Sequence, residues 1–202
     1  MAGERRDQLI RAFIALEPGE DNLPGLIATI TRLGSGPQGD AVRWVRPENL
    51  HVTLRFLGNI PESSVEPLQE AVSAETWDLP AFDLSIGPAG LFPRGRRPRV
   101  VAAALLPEQP LAELAQATER GVRKAGLPGE ERTFRPHLTL GRIRRNAPRS
   151  LVELGESLAR VNDEANTPAA PHRVTQVSLY RSDLKPDGPV YSVLWSTQLA
   201  GI

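Results

Sequence analysis

The chain has 202 residues, 40% hydrophobic and 24% charged, which is enough for one sizeable core or for two small lobes packed together. Its 24 Lys and Arg residues balance 24 Asp and Glu residues, so a uniformly basic coat for nucleic acid is excluded and any anion site must be local. Because the chain has no cysteine and only three histidines, thiolate chemistry is excluded and little remains to build a zinc site.

The first apolar stretch of the chain is short. It covers residues 9–16 and contains Arg11, so it fits neither a signal peptide nor a membrane span of about 20 apolar residues. No change of composition divides the chain. We therefore expect one domain over residues 1–202 in a cytoplasmic protein that does not bind a membrane.

The spacing of apolar residues predicts strands alternating with helices. Strands are predicted at 9–16, 41–45, 50–57, 81–87, 100–106, 133–143, 173–180 and 190–197. Helices are predicted at 23–33, after Pro61, at 111–125, and from Pro148 to about Val161. Residues 92–98 are predicted to form a loop rich in Arg, Gly and Pro. This is an α+β pattern.

Two segments repeat one pattern. LHVTLRFLGNIPESS and PHLTLGRIRRNAPRS each contain a His-x-Thr-Leu strand, followed by Asn, Pro and then Ser at the start of a helix. The first segment carries His51 and Thr53, and the second carries His137 and Thr139. The repeat predicts two related lobes.

Residues two apart on a strand project to the same face, so each motif presents an imidazole beside a hydroxyl. Two such pairs suit hydrolysis of a phosphodiester without a metal. A neutral histidine takes a proton from water, a protonated histidine gives one to the leaving oxygen, and the threonine hydroxyls hold the non-bridging oxygens. The spacing does not distinguish donor from acceptor.

Two arginines follow the motifs. Arg55 is expected to share the strand face of His51, while Gly141, at the matching position, is expected to leave room for substrate. A bulge permitted by Gly141 would turn Arg142 inward. Both arginines are predicted as phosphate ligands; the alternatives are a surface ion pair for Arg55 and a solvated strand end for Arg142.

Other candidates are weaker. His172 lacks the Thr two positions later and is expected to be structural. Three phenylalanines could stack a base, but core packing is expected of Phe56, Phe92 and Phe134. Four loop arginines either track an RNA backbone or are solvated: Arg94, Arg96, Arg97 and Arg99.

With these motifs the sequence resembles the 2H phosphoesterases, most closely the RNA 2′,3′-cyclic phosphodiesterases historically called 2′-5′ RNA ligases of the LigT type. The resemblance runs from IRAFIAL through LHVTLRFLG and RPHLTLGR to YRSDLKPDGPVYSVL, whose supporting residues are Ser182, Leu184, Gly188 and Tyr191. It implies a bilobal 2H phosphoesterase fold, with two pseudo-twofold-related lobes of antiparallel sheet, outer helices and a central groove.

The resemblance also implies hydrolysis of RNA terminal 2′,3′-cyclic phosphate to a 2′-phosphate, with weak reverse 2′-5′ ligation as a further expectation. His51 is then the proton donor and His137 the acceptor. The expected partner is an RNA 3′ end, the protein needs no metal or other cofactor, and it is a monomer. Two alternatives remain: an enzyme of this fold acting on a small cyclic phosphate such as that of ADP-ribose, and a non-catalytic RNA- or nucleotide-binding module.

Overall fold

The computed structural model describes residues 7–93, 95, 97–148, 151–164 and 170–200. Within these ranges the α-helices are α1 (Leu23–Ser35), α2 (Val65–Thr76), α3 (Glu108–Lys124) and α4 (Val152–Glu164). The strands are β1 (Leu9–Leu16), β2 (Val42–Trp44), β3 (Val52–Pro61), β4 (Phe82–Phe92), β5 (Val100–Leu106), β6 (Leu138–Ile143), β7 (His172–Val174), β8 (Gln176–Lys185) and β9 (Gly188–Gln198).

The described strands form two antiparallel sheets. Sheet A has the order β3-β1-β8-β9, and sheet B has the order β2-β6-β5-β4-β7. The motif strands β3 and β6 occupy matching places, because β3-β1-β8 in sheet A corresponds to β6-β5-β4 in sheet B. The predicted α+β class with two related lobes is confirmed, and the internal repeat extends to sheet topology.

The helices cover the sheets as two pairs. Helices α2 and α3 pack against each other and against β9 and β3 of sheet A, whereas α1 and α4 pack against strands of sheet B. Helix α1 follows β1 of sheet A but packs against sheet B. Helix α3 follows β5 of sheet B but packs against sheet A. No helix in the described ranges is long and apolar enough to cross a membrane.

One face of each motif strand belongs to the core. Val52, Leu54, Leu138 and Leu140 are buried, and they lie in one hydrophobic cluster that includes residues of both sheets. These side chains alternate with Thr53 and Thr139, which are half-buried. The predicted alternation is therefore confirmed at the motifs, where the apolar residues anchor the strands and leave the other face for polar side chains.

Several strand boundaries differ from the sequence prediction. The predicted strand over 173–180 is two strands in different sheets, β7 in sheet B and β8 in sheet A, because apolar alternation is the same whichever sheet a strand joins. The predicted strand over 133–143 begins only at Leu138, after Pro136, which has no N–H to give to a ladder. Phe92, predicted to open a loop, ends β4.

Candidate active site

The two motif histidines stand at equivalent places in the fold. His51 directly precedes β3 and His137 directly precedes β6, and these two strands contact each other. The imidazole of His137 is near enough to His51 to act on it electrostatically. The structure therefore brings together the two motifs that the sequence repeat singled out.

Both imidazoles are oriented by the same hydrogen bond. Nδ1 of His51 lies 2.7 Å from the carbonyl oxygen of Asn49, and Nδ1 of His137 lies 2.8 Å from that of Arg135. A carbonyl oxygen can only accept, so Nδ1 carries the proton in each ring. Each neutral ring consequently has an unprotonated Nε2, which can accept a proton, and each charged ring can donate one from the same atom.

Aromatic rings hold the imidazoles in place. The ring of Phe13 lies 4.7 Å from that of His51, and Tyr191 meets His51 edge to face at 5.3 Å. Phe92 stacks on His137 at 4.4 Å with the ring planes 19° apart. The expectation that Phe92 serves core packing is thus wrong, because the end of β4 places its ring against the second motif.

Asn49 links the first motif to the last hairpin of the chain. Its side chain is buried, and Nδ2 donates a hydrogen bond of 2.9 Å to the carbonyl oxygen of Pro189 at the start of β9. Its own carbonyl is the one that accepts from His51. The hairpin formed by β8 and β9 therefore fixes the position of the group that orients His51.

The two threonines have small neighbours. Ala15 lies opposite Thr53 on β1, and Ala102 lies opposite Thr139 on β5. Alanine places only a methyl group beside each hydroxyl. Within the described part of the chain neither hydroxyl makes a hydrogen bond to another protein group, so both can donate to an oxygen of a ligand.

The surroundings of His51 favour its neutral form. Burial is the main cause that lowers the pKa of His51, and the positive charge of Arg142 and the neighbouring His137 lower it further. The hydrogen bond to the Asn49 carbonyl opposes these effects only in part. In the ligand-free protein, His51 therefore loses its proton below the ordinary pKa of an imidazole.

Arg142 lies beside the first motif. Its charge acts on both His51 and Tyr191. The pairing of β6 with β5 shifts between Thr139 and Gly141, which leaves Leu140 as the extra residue of a bulge. The anticipated bulge is present, one residue before the predicted place, and Arg142 follows it.

Gly141 makes room for another strand and not for substrate. A Cβ atom on Gly141 would lie 2.4 Å from Cγ1 of Val42 and 2.9 Å from Cε3 of Trp44. The missing side chain makes room for β2, which pairs with β6 at this point. The prediction that Gly141 leaves room for substrate is therefore wrong.

Arg55 does not share the face of His51, contrary to the sequence prediction. Leu54 is an extra residue in the pairing of β3 with β1, so Thr53 lies opposite Ala15 but Arg55 lies opposite the fully buried Ile14. Such a bulge reverses the alternation of side chains that follow it. Arg55 is consequently turned to the helix side of sheet A.

On that side Arg55 is fully engaged. Its Nε donates to Oε2 of Glu119 on α3 at 2.7 Å, and its other nitrogens donate to the carbonyl oxygens of Phe56 and Pro128. Only 11% of its side chain is exposed. The ion pair that was the alternative for Arg55 is therefore present.

The same bulge moves Phe56 to the opposite face. Phe56 lies opposite Phe13, its ring is 5.9 Å from the Phe13 ring, and 48% of the residue is exposed. The expectation of core packing is wrong for Phe56, whereas Phe134 does pack against the hydrophobic cluster. His172 begins β7 with its ring against Gly19, as expected of a structural residue.

Arg94 and Arg96 lie outside the described residues, so the structure does not place the predicted loop contact. No three metal-ligating side chains come together anywhere in the described ranges.

Several residues around the motifs escaped the sequence analysis. Phe13 and Asn49 touch His51 through strand and turn contacts, and Arg11 and Arg43 act electrostatically on Tyr191 beside it. Of these residues, only Asn49 could have been found from the sequence, because it lies two residues before His51. The others required knowledge of which strands pair.

Comparison with known proteins agrees with the motifs and the fold. Residues 23–186 match the family described as the 2′-5′ RNA ligase superfamily. The RNA 2′,3′-cyclic phosphodiesterase of Methanothermobacter thermautotrophicus is 34% identical, over 91% of this chain and 95% of that protein. The enzyme of the same name from Thermus thermophilus is 35% identical, over 78% of this chain and 75% of its own.

Solved structures show the same architecture. A protein of Thermus thermophilus has a TM-score of 0.73 at 29% identity, covering 95% of this chain and 99% of that one. The ligand-free E. coli LigT has a TM-score of 0.71 at 25% identity, covering 96% and 99%. With twin His-x-Thr motifs on matching strands of this fold, the chain belongs to the 2′-5′ RNA ligase superfamily.

Proposed function

We propose that this chain hydrolyses the 2′,3′-cyclic phosphate at RNA 3′ ends to a 2′-phosphate, using His51 and His137 as the acid–base pair. The observation that carries the proposal is the shared orientation of the two imidazoles, each with Nδ1 bound to a carbonyl and Nε2 left for proton transfer. The names of its relatives in Methanothermobacter and Thermus support the choice of substrate.

The proposed reaction needs one proton taken and one proton given. Nε2 of neutral His137 accepts a proton from water, whose oxygen forms the new bond to phosphorus. The bond from phosphorus to O3′ breaks, and Nε2 of charged His51 gives its proton to O3′. The products are a 2′-phosphate and a free 3′-hydroxyl; an RNA 5′-hydroxyl in place of water would form a 2′-5′ linkage.

His51 must be charged to act as the donor, although its surroundings in the free protein lower its pKa. The substrate resolves this conflict. A phosphate anion bound beside Arg142 offsets the positive charge that disfavours the imidazolium, and so raises the pKa of His51. Binding of the substrate thus favours the protonation state that the reaction needs.

Three groups are proposed to hold the reacting phosphate. The hydroxyls of Thr53 and Thr139 donate to its non-bridging oxygens, and Arg142 supplies the positive charge. These interactions strengthen as charge grows on the phosphate in the transition state. We further propose that the protein works without a metal, as a cytoplasmic monomer and a single domain.

The function is tested with an RNA oligonucleotide ending in a 2′,3′-cyclic phosphate, incubated with and without EDTA. We expect a 2′-phosphate product at the same rate in both samples. A zinc mechanism predicts instead that EDTA abolishes activity and that added metal restores it. Faster hydrolysis of ADP-ribose cyclic phosphate than of the RNA would favour the small-molecule alternative, and binding without hydrolysis would favour the non-catalytic one.

Thr53→Val and Thr139→Val are each expected to lower kcat/KM about 10- to 100-fold, because each removes one hydrogen bond of about 1.5–3 kcal/mol to a charged oxygen. Thr→Ser at either position keeps the hydroxyl and is the matched control. Steady-state kinetics on the cyclic phosphate measure the effect. Equal rates for the Val and Ser variants would contradict the proposed contact.

Arg142→Gln is expected to raise the pKa of His51, because it removes a positive charge that opposes protonation of the ring. The pKa should stay below the ordinary value, since burial of His51 is unchanged. The titration midpoint of the His51 ring protons in NMR spectra measures the shift. Arg160→Gln on α4 is the remote control and should leave the midpoint unchanged. A midpoint that stays in place or moves to lower pH in Arg142→Gln would contradict the electrostatic effect of Arg142 on His51.

A further inference from the structure

Three arginines from three different strands lie close enough to Tyr191 to act on it. Arg11 on β1, Arg43 on β2 and Arg142 on β6 all act electrostatically on the Tyr191 hydroxyl. Among the described residues, none of the charged groups that act on this hydroxyl is acidic. Tyr191 in turn meets the His51 ring edge to face, so the positive charge adjoins the candidate active site.

Strand geometry places the three arginine side chains on the sheet faces that carry the motif threonines. Arg43 lies directly opposite Arg142 in the antiparallel pair β2–β6, so the two side chains leave the same face. Arg11 is two residues before Phe13 on β1 and shares its face, and the Phe13 ring touches both His51 and Tyr191. All three arginines are exposed.

The pairing of Arg43 with Arg142 is unfavourable, and a bound anion would offset the repulsion. Like charges directly opposite each other on paired strands are destabilising. Within the ranges that the structure describes, none of the three arginines forms an ion pair with a carboxylate. Seven of the described arginines do form ion pairs, and the unpaired ones include, besides these three, several on other parts of the surface. What distinguishes Arg43 and Arg142 is that they lie directly opposite each other.

The charge also exceeds what the reacting phosphate requires. A cyclic phosphate diester carries one negative charge, and in the function proposed above Arg142 and the two threonines bind it. Arg43 and Arg11 are therefore available to bind a second anion. Because the cyclic phosphate ends the RNA chain, the nearest further anion is the phosphate on the 5′ side of the same nucleotide.

We propose that Arg43, assisted by Arg11, binds the 5′-phosphate of the terminal nucleotide, so that the enzyme distinguishes an RNA end from a cyclic mononucleotide. This inference rests on the function proposed above and names the part of the substrate that the site reads. Arg142 contacts the reacting phosphate, whereas Arg43 and Arg11 contact the phosphate that joins the terminal nucleotide to the rest of the chain.

The test compares adenosine 2′,3′-cyclic phosphate with the same nucleotide carrying a 5′-phosphate. We expect the wild-type kcat/KM to be about tenfold or more higher with the 5′-phosphate, as for one charge-assisted hydrogen bond. Arg43→Gln and Arg11→Gln should reduce that ratio, and Arg43→Lys should restore part of it. Arg142→Gln should lower both rates and leave the ratio close to that of the wild type.

Two further measurements separate recognition from structure. For the 5′-phosphorylated substrate, the slope of log kcat/KM against log salt concentration should become shallower by about 0.7 in Arg43→Gln, the loss of one phosphate contact to a single strand. The melting temperature of Arg43→Gln should rise, because a repulsive pair is removed. Arg160→Gln, on the helix side, should change neither the ratio nor the slope.

The outcomes are distinct. A wild-type enzyme that hydrolyses both nucleotides equally, or an Arg43→Gln variant that keeps the wild-type ratio, would overturn this inference and leave the proposed function standing. Hydrolysis of neither nucleotide, nor of an RNA with a cyclic end, would overturn the proposed function itself.

Discussion

Replacing His51 or His137 with alanine is expected to lower the rate of cyclic phosphate hydrolysis about 10²- to 10⁴-fold, the usual contribution of general acid or base catalysis. Each replacement removes the Nε2 atom that gives or takes the proton. The fold should persist, because the strands are anchored by Val52, Leu54, Leu138 and Leu140 on the other face. Single-turnover kinetics with saturating enzyme measure the loss at the chemical step.

The chain supplies its own matched control. His172→Ala removes the third imidazole, which packs against Gly19 at the start of β7, and should keep the wild-type rate. Circular dichroism and the melting temperature show whether each variant is folded. A double variant of His51 and His137 that is folded and hydrolyses the substrate at the wild-type rate would falsify the two-histidine mechanism.

Glu119→Gln is expected to destabilise the protein by up to about 3 kcal/mol, because removing one partner of a largely buried ion pair leaves the other charge uncompensated. Arg55 is the charge that remains, with 11% of its side chain exposed. Arg55→Met keeps the apolar stem and removes the charge, so it should cost less than Glu119→Gln. Urea unfolding measures both, as a lower midpoint at an unchanged slope.

The same variants decide between two roles for Arg55. If Arg55 stabilises the packing of β3 on α3, the double variant Arg55→Met with Glu119→Gln should recover part of the stability lost in Glu119→Gln. In that case kcat/KM should match the wild type in all three variants at low temperature. A folded Arg55→Met variant with strongly reduced kcat/KM would instead support the phosphate contact predicted from the sequence.

The sequence was sufficient to find the motifs because their signal is local. The period of two along a strand puts His and Thr on one face and the apolar residues on the other, and the structure follows this at Val52 and Leu138. The repeat of the motif also predicted the match between the lobes. Both inferences depend on residues within a few positions of each other.

Prediction failed one residue beyond the first motif. The extra residue Leu54 reverses the alternation of side chains along β3. Arg55 therefore points to the helices, and Phe56 points to the face that carries Thr53. In the sequence Leu54 looks like any other apolar residue of a strand, so nothing there indicates a bulge. Gly141 was misinterpreted for a related reason, since the neighbours that need its space, Val42 and Trp44, lie on a strand about 100 positions away in the chain.

Arg142 was found from the sequence, but the two arginines near it in space were not. Arg43 becomes significant only through its pairing with Arg142, and Arg11 only through the contacts of Phe13 with His51 and Tyr191. In the sequence these two arginines stand in unrelated apolar stretches. Proximity that depends on sheet order has no local signal, so it must be observed.

The exchange of helices between the lobes makes the protein resemble a domain-swapped dimer whose two copies have been joined into one chain. The first half of the chain gives α1, β2 and β4 to sheet B, and the second half gives α3, β8 and β9 to sheet A. Neither half contains a complete lobe, so neither has a core of its own to fold around. The two histidines come from different halves, and the proposed catalytic pair is therefore assembled only when the entire chain has folded cooperatively.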